Sequence, residues 1–136
     1  MSIEEITNTG EPVSANTLLI IEDEEPIQAF LRTALERSGY TVVIVSSGTE
    51  GLSILKERDF SAVISDMRTP GGVNGADVHD WLAKNRPALA RRMLFVTGDI
   101  VNEETVEILN KTGVPYIEKP FRVRELIETV QKVLLK

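Results

Sequence analysis

Acidic and basic side chains stand at the ends of three apolar runs in this sequence of 136 residues. Glu22 and Asp23 follow the first run, Asp66 ends a later one, and Lys119 follows the run 116–118. Carboxylates are the ligands with which proteins hold Mg²⁺, usually together with phosphate and water. An aspartate can also act as a nucleophile and form an aspartyl phosphate, while an ammonium group is a compact charge for phosphate. These residue types therefore indicate a phosphoryl acceptor assisted by a metal ion.

Each of these residues also has an ordinary structural explanation. Acids such as Glu22 and Asp23 are favoured at the start of any helix because they complement its dipole. Asp66 could be a turn residue, and an isolated lysine such as Lys119 usually lies on the surface. Thr97, which ends another apolar run, could donate to a phosphoryl oxygen or be a solvated strand end. The hypothesis therefore depends on the order of these residues along the chain and on their shared position at strand ends.

Length and composition limit the classes of protein to which this chain can belong. A length of 136 residues fits one domain, and a hydrophobic content of 42% is enough for a core. A net charge of −6 argues against general binding to nucleic acid. The sequence contains no cysteine, no signal peptide and no apolar run near the ~20 residues of a membrane span. These features predict a cytoplasmic protein without membrane insertion.

The chain divides into a short lead-in and one domain with alternating strand and helix patterns. Residues 1–16 show no sustained period and are predicted to be a flexible lead-in or linker, and residues 17–136 form the domain. The predicted strands are Leu18–Ile21, Tyr40–Val45, Ala62–Ser65, Met93–Val96 and Tyr116–Glu118.

Helical periodicity and end signals follow each predicted strand. The first helix has Pro26 in its first turn and Gly39 at its end, and the third lies over Ala76–Asn85 and stops before Pro87. The second begins with a capping box at 47–50 and ends near Arg58. The fourth is capped by Asn102 and closes at Gly113, and the last has an apolar stripe from Val123 to Leu134.

Five such βα units predict an α/β fold of the doubly wound class. Continuous apolar strands are typical of a parallel sheet that is covered on both faces. A sheet of this kind binds its ligand beyond the carboxyl ends of its strands, at a switch point in the strand order. All the candidate polar residues lie at those carboxyl ends, so we expect them to share one edge of the sheet.

The order of these residues and elements resembles that of a known family. Residues 17–136 are similar to a response-regulator receiver domain of two-component signalling, which has the chemotaxis-regulator-like fold. The resemblance implies a flavodoxin-like topology with a five-stranded parallel sheet in the order 2-1-3-4-5. It rests on four segments, namely Ile20–Glu24, Ile64–Pro70, Phe95–Gly98 and Tyr116–Phe121.

The resemblance implies a role for each residue of the acidic site. Asp66 matches the phosphorylated aspartate, and Lys119 matches the lysine that binds the phosphoryl group. Glu22 and Asp23 match the carboxylates that bind Mg²⁺ together with Asp66. Arg68 occupies the position whose backbone carbonyl also binds the metal. The implied cofactor is therefore Mg²⁺.

A switch and its partners are implied in the same way. Thr97 matches the switch hydroxyl, and Tyr116, three residues before Lys119, matches the aromatic side chain that rotates. Their movement would change a surface formed by the fourth helix, the fifth strand and the last helix. The implied partners are a histidine kinase or a histidine phosphotransfer domain, a downstream protein, and a second copy of the chain if phosphorylation drives dimerisation. The chain would catalyse only its own phosphorylation and dephosphorylation and would not be an enzyme in the usual sense.

Some positions depart from the common pattern of the family. Thr69 stands where many receivers have methionine, and Gly71-Gly72 lengthens the loop that follows. Arg68 and Asp99 are expected at the rim of the pocket. The main alternative is a receiver-like interaction module that works without phosphorylation, against which an intact set of acid, hydroxyl and lysine argues. Whether the chain is a stand-alone regulator or part of a hybrid kinase stays open.

Overall fold

Five strands form one parallel sheet in the predicted order, β2-β1-β3-β4-β5. The computed structural model describes residues 16–69, 71–98 and 100–136, so most of the predicted lead-in lies outside the described residues. The strands are β1 (Thr17–Ile21), β2 (Thr41–Val45), β3 (Ala62–Asp66), β4 (Met93–Thr97) and β5 (Tyr116–Glu118). The helices in the described part are α1 (Glu25–Arg37), α2 (Gly48–Leu55), α3 (Gly75–Asn85), α4 (Pro87–Ala90), α5 (Glu103–Thr112) and α6 (Val123–Leu134).

The helix that the sequence analysis missed is α4. Pro87 was interpreted as a stop signal for the third helix, and α3 does end before it, at Asn85. Proline is also suited to the first position of a helix, and Pro87 begins the short α4. The predicted fourth and last helices are therefore α5 and α6. None of the helices in the described part of the chain is long and apolar enough to cross a membrane.

Two predicted features of α2 differ in the structure. The helix ends at Leu55 and does not continue to Arg58. Ser47 caps the helix by accepting from the Glu50 N–H, but the Glu50 carboxylate accepts from the N–H of Ser46, 2.7 Å away. The reciprocal half of the predicted capping box is therefore displaced by one residue, from the N–H of Ser47 to that of Ser46.

Alternating strand residues build one apolar core on each face of the sheet. Leu18 and Ile20 of β1 pack toward α1 and α6, whereas Leu19 and Ile21 pack toward α2, α3, α4 and α5. Successive side chains of a strand point to opposite faces, so the run 18–21 is fully buried and apolar throughout. This is the pattern that a parallel sheet between two helix layers requires.

The register of the strands brings their carboxyl ends to the same edge. Asp66 at the end of β3 pairs with Val96 of β4, and Thr97 pairs with Glu118 of β5. Polar residues that follow these strands in the sequence are far apart along the chain. The shared edge places them within reach of one another.

Gly75 holds the start of α3 close to the end of β3, and a side chain there would disturb both. A Cβ at Gly75 would lie 2.8 Å from Cε1 of the buried Phe95 and 3.0 Å from the Asp66 carbonyl oxygen. We expect Gly75→Ala to lower the free energy of unfolding by about 1–3 kcal/mol, because overpacking forces buried groups apart. Chemical denaturation measures this. The matched control is Gly98→Ala, whose Cβ would meet no described atom within 4 Å, and an equal loss in both variants would contradict the prediction.

Candidate functional site

Four carboxylates meet at the carboxyl edge of the sheet. One oxygen from each of Glu22, Asp23, Glu24 and Asp66 lies within 4.8 Å of the others. Three of these residues are the carboxylates that the sequence analysis proposed for a metal. Glu24 was not proposed, although it belongs to the same acidic run, because only the path of the chain after β1 shows that it turns back toward the site.

Glu22 is held in place by bonds on both its backbone and its side chain. Its N–H donates to the Val45 carbonyl of β2, 3.0 Å away, and its own carbonyl accepts from the Gln28 side chain of α1. Its Oε2 accepts from the Glu24 N–H at 3.1 Å. The residue is 1% exposed. An acid is therefore fixed inside the site and is not free to turn into solvent.

Asp66 is the last residue of β3 and lies at the centre of the group. Its Oδ1 accepts from the Arg68 N–H at 3.3 Å, and its Oδ2 accepts from Lys119 Nζ at 3.0 Å. The residue is buried, but it lines a cavity of about 310 Å³ that opens beside it. The carboxylate is thus oriented by two donors and remains accessible from one side.

Lys119 brings a positive charge into this cluster. Its Nζ lies 3.0 Å from Asp66 Oδ2, 3.2 Å from Glu22 Oε1 and 3.7 Å from Glu24 Oε2. The side chain is 15% exposed. The Lys119 N–H donates to the Thr97 carbonyl at 2.8 Å, and the peptide bond to Pro120 is cis. One ammonium group therefore contacts three carboxylates.

The cluster carries more negative than positive charge, and the pKa values respond to this. Burial raises the pKa of the Glu22 carboxyl, and the charge of Asp66 raises it further. The hydrogen bond from the Glu24 N–H and the positive charge of Lys119 lower it by less. Burial acts to lower the pKa of Lys119, but its hydrogen bond to Asp66 and the charges of Asp66 and Glu22 outweigh burial and raise it. The shift of Lys119 therefore reflects the neighbouring carboxylates, whereas the shift of Glu22 comes first from burial and then from the charge of Asp66.

A divalent cation fits this site. Glu22 Oε1 forms an ion pair with Lys119 Nζ at 3.2 Å, but within the described part of the chain this buried oxygen accepts no hydrogen bond. Buried acceptors are rarely left in this state. Hard oxygen donors with an excess of negative charge are the ligands that Mg²⁺ prefers. The donor set therefore agrees with the cofactor that the resemblance implied.

The two predicted switch residues lie in different surroundings. Thr97 ends β4, is buried, and lines the same cavity as Asp66 and Lys119. Tyr116 begins β5 and is 46% exposed. The structure therefore brings the hydroxyl into the acidic site and leaves the aromatic residue exposed on β5.

Arg68 connects the rim of the cavity with α5. Its guanidinium Nη2 lies 3.6 Å from Glu104 Oε1 in the first turn of α5, and both side chains are largely exposed. Arg68 was expected at the rim, whereas Glu104 was not proposed for any site, since nothing in the sequence relates two residues so far apart. The second predicted rim residue, Asp99, lies outside the described residues.

Fold and site together define an α/β protein with an acidic, metal-compatible pocket at the switch point of a parallel sheet. The family model described as response regulator receiver domain matches residues 18–131. The chain therefore belongs to the response-regulator receiver domain family, as the resemblance indicated.

Individual relatives agree with this assignment. The chain is 34% identical over 117 residues to the uncharacterized transcriptional regulatory protein YkoG of Bacillus subtilis. The aligned region covers 86% of this chain and 50% of that protein. It is 29% identical over 119 residues to the response regulator SaeR of Staphylococcus aureus, and this aligned region covers 88% of this chain and 50% of that protein. The chain spans about half the length of the curated relatives it matches.

Solved structures share the fold. A putative response regulator from Chloroflexus aurantiacus superimposes with a TM-score of 0.81 at 25% identity, covering 90% of this chain and 100% of the other. The receiver domain of the sensor histidine kinase PA1611 from Pseudomonas aeruginosa superimposes with a TM-score of 0.78 at 21% identity, over 90% and 100% of the two chains. That structure holds a magnesium ion coordinated in its active site cleft.

The buried charge of Glu22 should cost stability when no metal cation is bound. Its raised pKa means that the folded state binds protons more tightly than the unfolded state, so stability falls as pH rises through and above about 4.5. We expect Glu22→Gln, measured at pH 7 in chelator, to raise the free energy of unfolding by about 1 kcal/mol, the scale of a buried acceptor left without a donor. This gain should shrink as the pH falls toward 4.5, because the Glu22 carboxyl of the folded wild-type protein becomes protonated above that pH.

The control for Glu22→Gln is Glu118→Gln, which removes an exposed acid from β5. It should change the free energy of unfolding little in the same buffer. Mg²⁺ should then stabilise the wild-type protein more than Glu22→Gln, since binding to the native state adds stability. A lower stability of Glu22→Gln in chelator would contradict the interpretation of this carboxylate.

Proposed function

We propose that Asp66 accepts a phosphoryl group from a phosphohistidine on a histidine kinase or a histidine phosphotransfer domain. The single observation that carries the proposal is the contact of Lys119 Nζ with Asp66 Oδ2, 3.0 Å, inside a cluster of carboxylates at the switch point. A nucleophilic oxygen, a phosphate-binding cation and a metal-compatible donor set then occupy one cavity. In this proposal the chain catalyses only its own phosphorylation and dephosphorylation, in the cytoplasm.

The transfer step follows from the positions of these groups. A carboxylate oxygen of Asp66 attacks phosphorus, a P–O bond forms, and the P–N bond to the donor imidazole breaks. The electron pair of that bond leaves with the ring nitrogen, which is then protonated by solvent. Phosphoryl transfer depends mainly on positioning and charge stabilisation. Lys119, which pairs with the Asp66 carboxylate beforehand, is near enough to pair with the phosphoryl oxygens afterwards.

Mg²⁺ is the proposed cofactor of this step. The carboxylates of Glu22, Asp23 and Asp66 and the backbone carbonyl of Arg68 would hold it. When bound, the ion supplies positive charge that offsets the repulsion between the carboxylates and an incoming phosphoryl group. The buried Glu22 oxygen that lacks a hydrogen-bond donor supports this assignment.

The proposed output is a change of the surface formed by α5, β5 and α6. Thr97 lines the cavity beside Asp66, so its hydroxyl can move toward a phosphoryl oxygen. Tyr116 is exposed on the adjacent strand and could turn inward when Thr97 moves. A phosphoryl group that favours this arrangement shifts the population of two states. The partner that binds this surface is a downstream protein or a second copy of the chain. Measurement of the oligomeric state with and without a phosphate mimic distinguishes the two.

Replacement of the acceptor tests the proposal directly. Wild-type protein incubated with Mg²⁺ and a small phosphodonor such as acetyl phosphate should gain one phosphoryl group in its intact mass, and Asp66→Asn should gain none because its amide is not a nucleophile. Asp80→Asn is the control, since it changes an exposed acid of α3. Excess chelator should abolish labelling of the wild type. Undiminished labelling of Asp66→Asn would falsify the assignment, and an unlabelled wild type would favour the interaction module that works without phosphorylation.

Arg68 offers a test of the rim of the cavity. Its side chain pairs with Glu104 across one side of the opening, whereas only its backbone is proposed to touch the metal. We expect Arg68→Ala to admit water and speed the loss of the phosphoryl group by up to about fivefold, the scale of an exposed ion pair. The Mg²⁺ affinity should stay within about twofold of the wild type on the same reasoning.

The measurements for Arg68→Ala are the decay of phosphorylated protein after the donor is removed and a calorimetric titration with Mg²⁺. Arg91→Ala is the control, because Arg91 is an exposed arginine that lies between α4 and β4 at the opposite edge of the sheet. A large loss of Mg²⁺ affinity with an unchanged decay rate would show that the side chain acts on the metal and not on water access.

A further inference from the structure

Thr69 joins the loop after β3 to the start of α2 through a single hydroxyl group. Its Oγ1 accepts from the Gly48 N–H at 3.1 Å and donates to the carbonyl of Val73. Gly48 is the first residue of α2, and Val73 lies near the far end of the loop. The hydroxyl therefore acts as acceptor and donor at once. The thioether of methionine, which many receivers have at this position, has no hydrogen to donate.

The loop also packs directly against the backbone of α2. A Cβ at Gly48 would collide with the Val73 carbonyl and would lie 2.8 Å from Val73 Cγ1. Between Thr69 and Val73, Gly71 and Gly72 have φ values of 89° and 83°. Glycines in this region are unrestricted in the unfolded chain and lose much freedom when ordered. The hydroxyl of Thr69 therefore joins Gly48 of α2 to Val73, the residue that follows these two glycines.

Thr69 directly follows the residue whose backbone is proposed to bind the metal. On the upstream side, the Met67 N–H donates to the Val96 carbonyl at 3.1 Å, and the Met67 carbonyl accepts from the Gly75 N–H at 2.9 Å. On the downstream side, the chain is held by the hydroxyl of Thr69. The peptide unit that carries the Arg68 carbonyl thus lies between two anchored residues.

We propose that Thr69 is a positioning residue, whose hydroxyl anchors the loop to α2 and thereby holds the Arg68 carbonyl in place for the divalent cation at Asp66. This inference rests on the proposed function. Partners that orient metal ligands typically change metal affinity by about 10–100-fold when they are removed. Through Thr69, the position of α2 contributes to the affinity of a site to which α2 supplies no ligand.

The rival explanation is that the hydroxyl only adds stability to the loop. Both explanations predict that a variant without the hydroxyl is less stable, so stability alone does not distinguish them. The difference lies in the cation: a positioning role requires weaker Mg²⁺ binding by protein that is still folded. A purely structural role leaves the Mg²⁺ affinity of the folded protein unchanged.

The test compares Thr69→Val, which keeps the β-branched shape, with Thr69→Ser, which keeps the hydroxyl. Calorimetric titration with Mg²⁺ should give a Kd about tenfold higher for Thr69→Val and within about twofold of the wild type for Thr69→Ser. Without any cation, amide hydrogen exchange at Gly48 should be faster in Thr69→Val than in Thr69→Ser, because its acceptor is lost. Thr49→Val, at an exposed threonine one residue after Gly48, is the matched control for the exchange of threonine by valine.

The outcomes separate this inference from the function on which it rests. If Thr69→Val exchanges faster at Gly48 but binds Mg²⁺ as the wild type does, the positioning role is wrong and the hydroxyl is structural. If the wild type itself binds no Mg²⁺ and Asp66 is not labelled, the proposed function fails instead. Should Thr69→Val not fold, Thr69→Ala takes its place, since its smaller side chain leaves room for water at the Gly48 N–H and the Val73 carbonyl.

Discussion

The structure is organised around an imbalance of charge at one edge of the sheet. Four carboxylates converge within a few ångströms, and the ammonium group of Lys119 contacts three of them. Burial disfavours the charged form of an acid, and it is the main reason why the pKa of Glu22 is raised, with a smaller contribution from the charge of Asp66. A site with this excess of negative charge favours further positive charge, which is what suits it to a divalent cation.

The energy that holds these charges together comes from the apolar sheet behind them. The run 18–21 of β1 is fully buried between two helix layers, and burial of apolar surface is the main favourable term in folding. Strand register then aligns the carboxyl ends, with Asp66 beside Val96 and Thr97 beside Glu118. The rigid core therefore fixes the positions of the polar groups, while the loops beyond the strands determine what those groups can contact.

The loops give the site its links to the rest of the molecule. Arg68 contacts Glu104 at the start of α5, and Thr69 contacts Gly48 at the start of α2. The two residues are neighbours in the chain and follow the proposed acceptor by only two and three positions. The loop that follows Asp66 therefore contacts one helix on each side, α5 through an exposed ion pair and α2 through a half-buried hydroxyl.

The sequence by itself determined the elements, the strand-end positions of Asp66, Thr97 and Lys119, and, through a resemblance to a family, the strand order. These features follow from apolar runs and periodicities, which are local properties of the chain. It did not predict α4, because a proline that stops one helix can begin another. The inclusion of Glu24, the pairing of Arg68 with Glu104 and the bridge made by Thr69 were decided by the tertiary structure alone. Each joins side chains whose directions depend on loop paths and on packing between distant segments, and no local pattern encodes those.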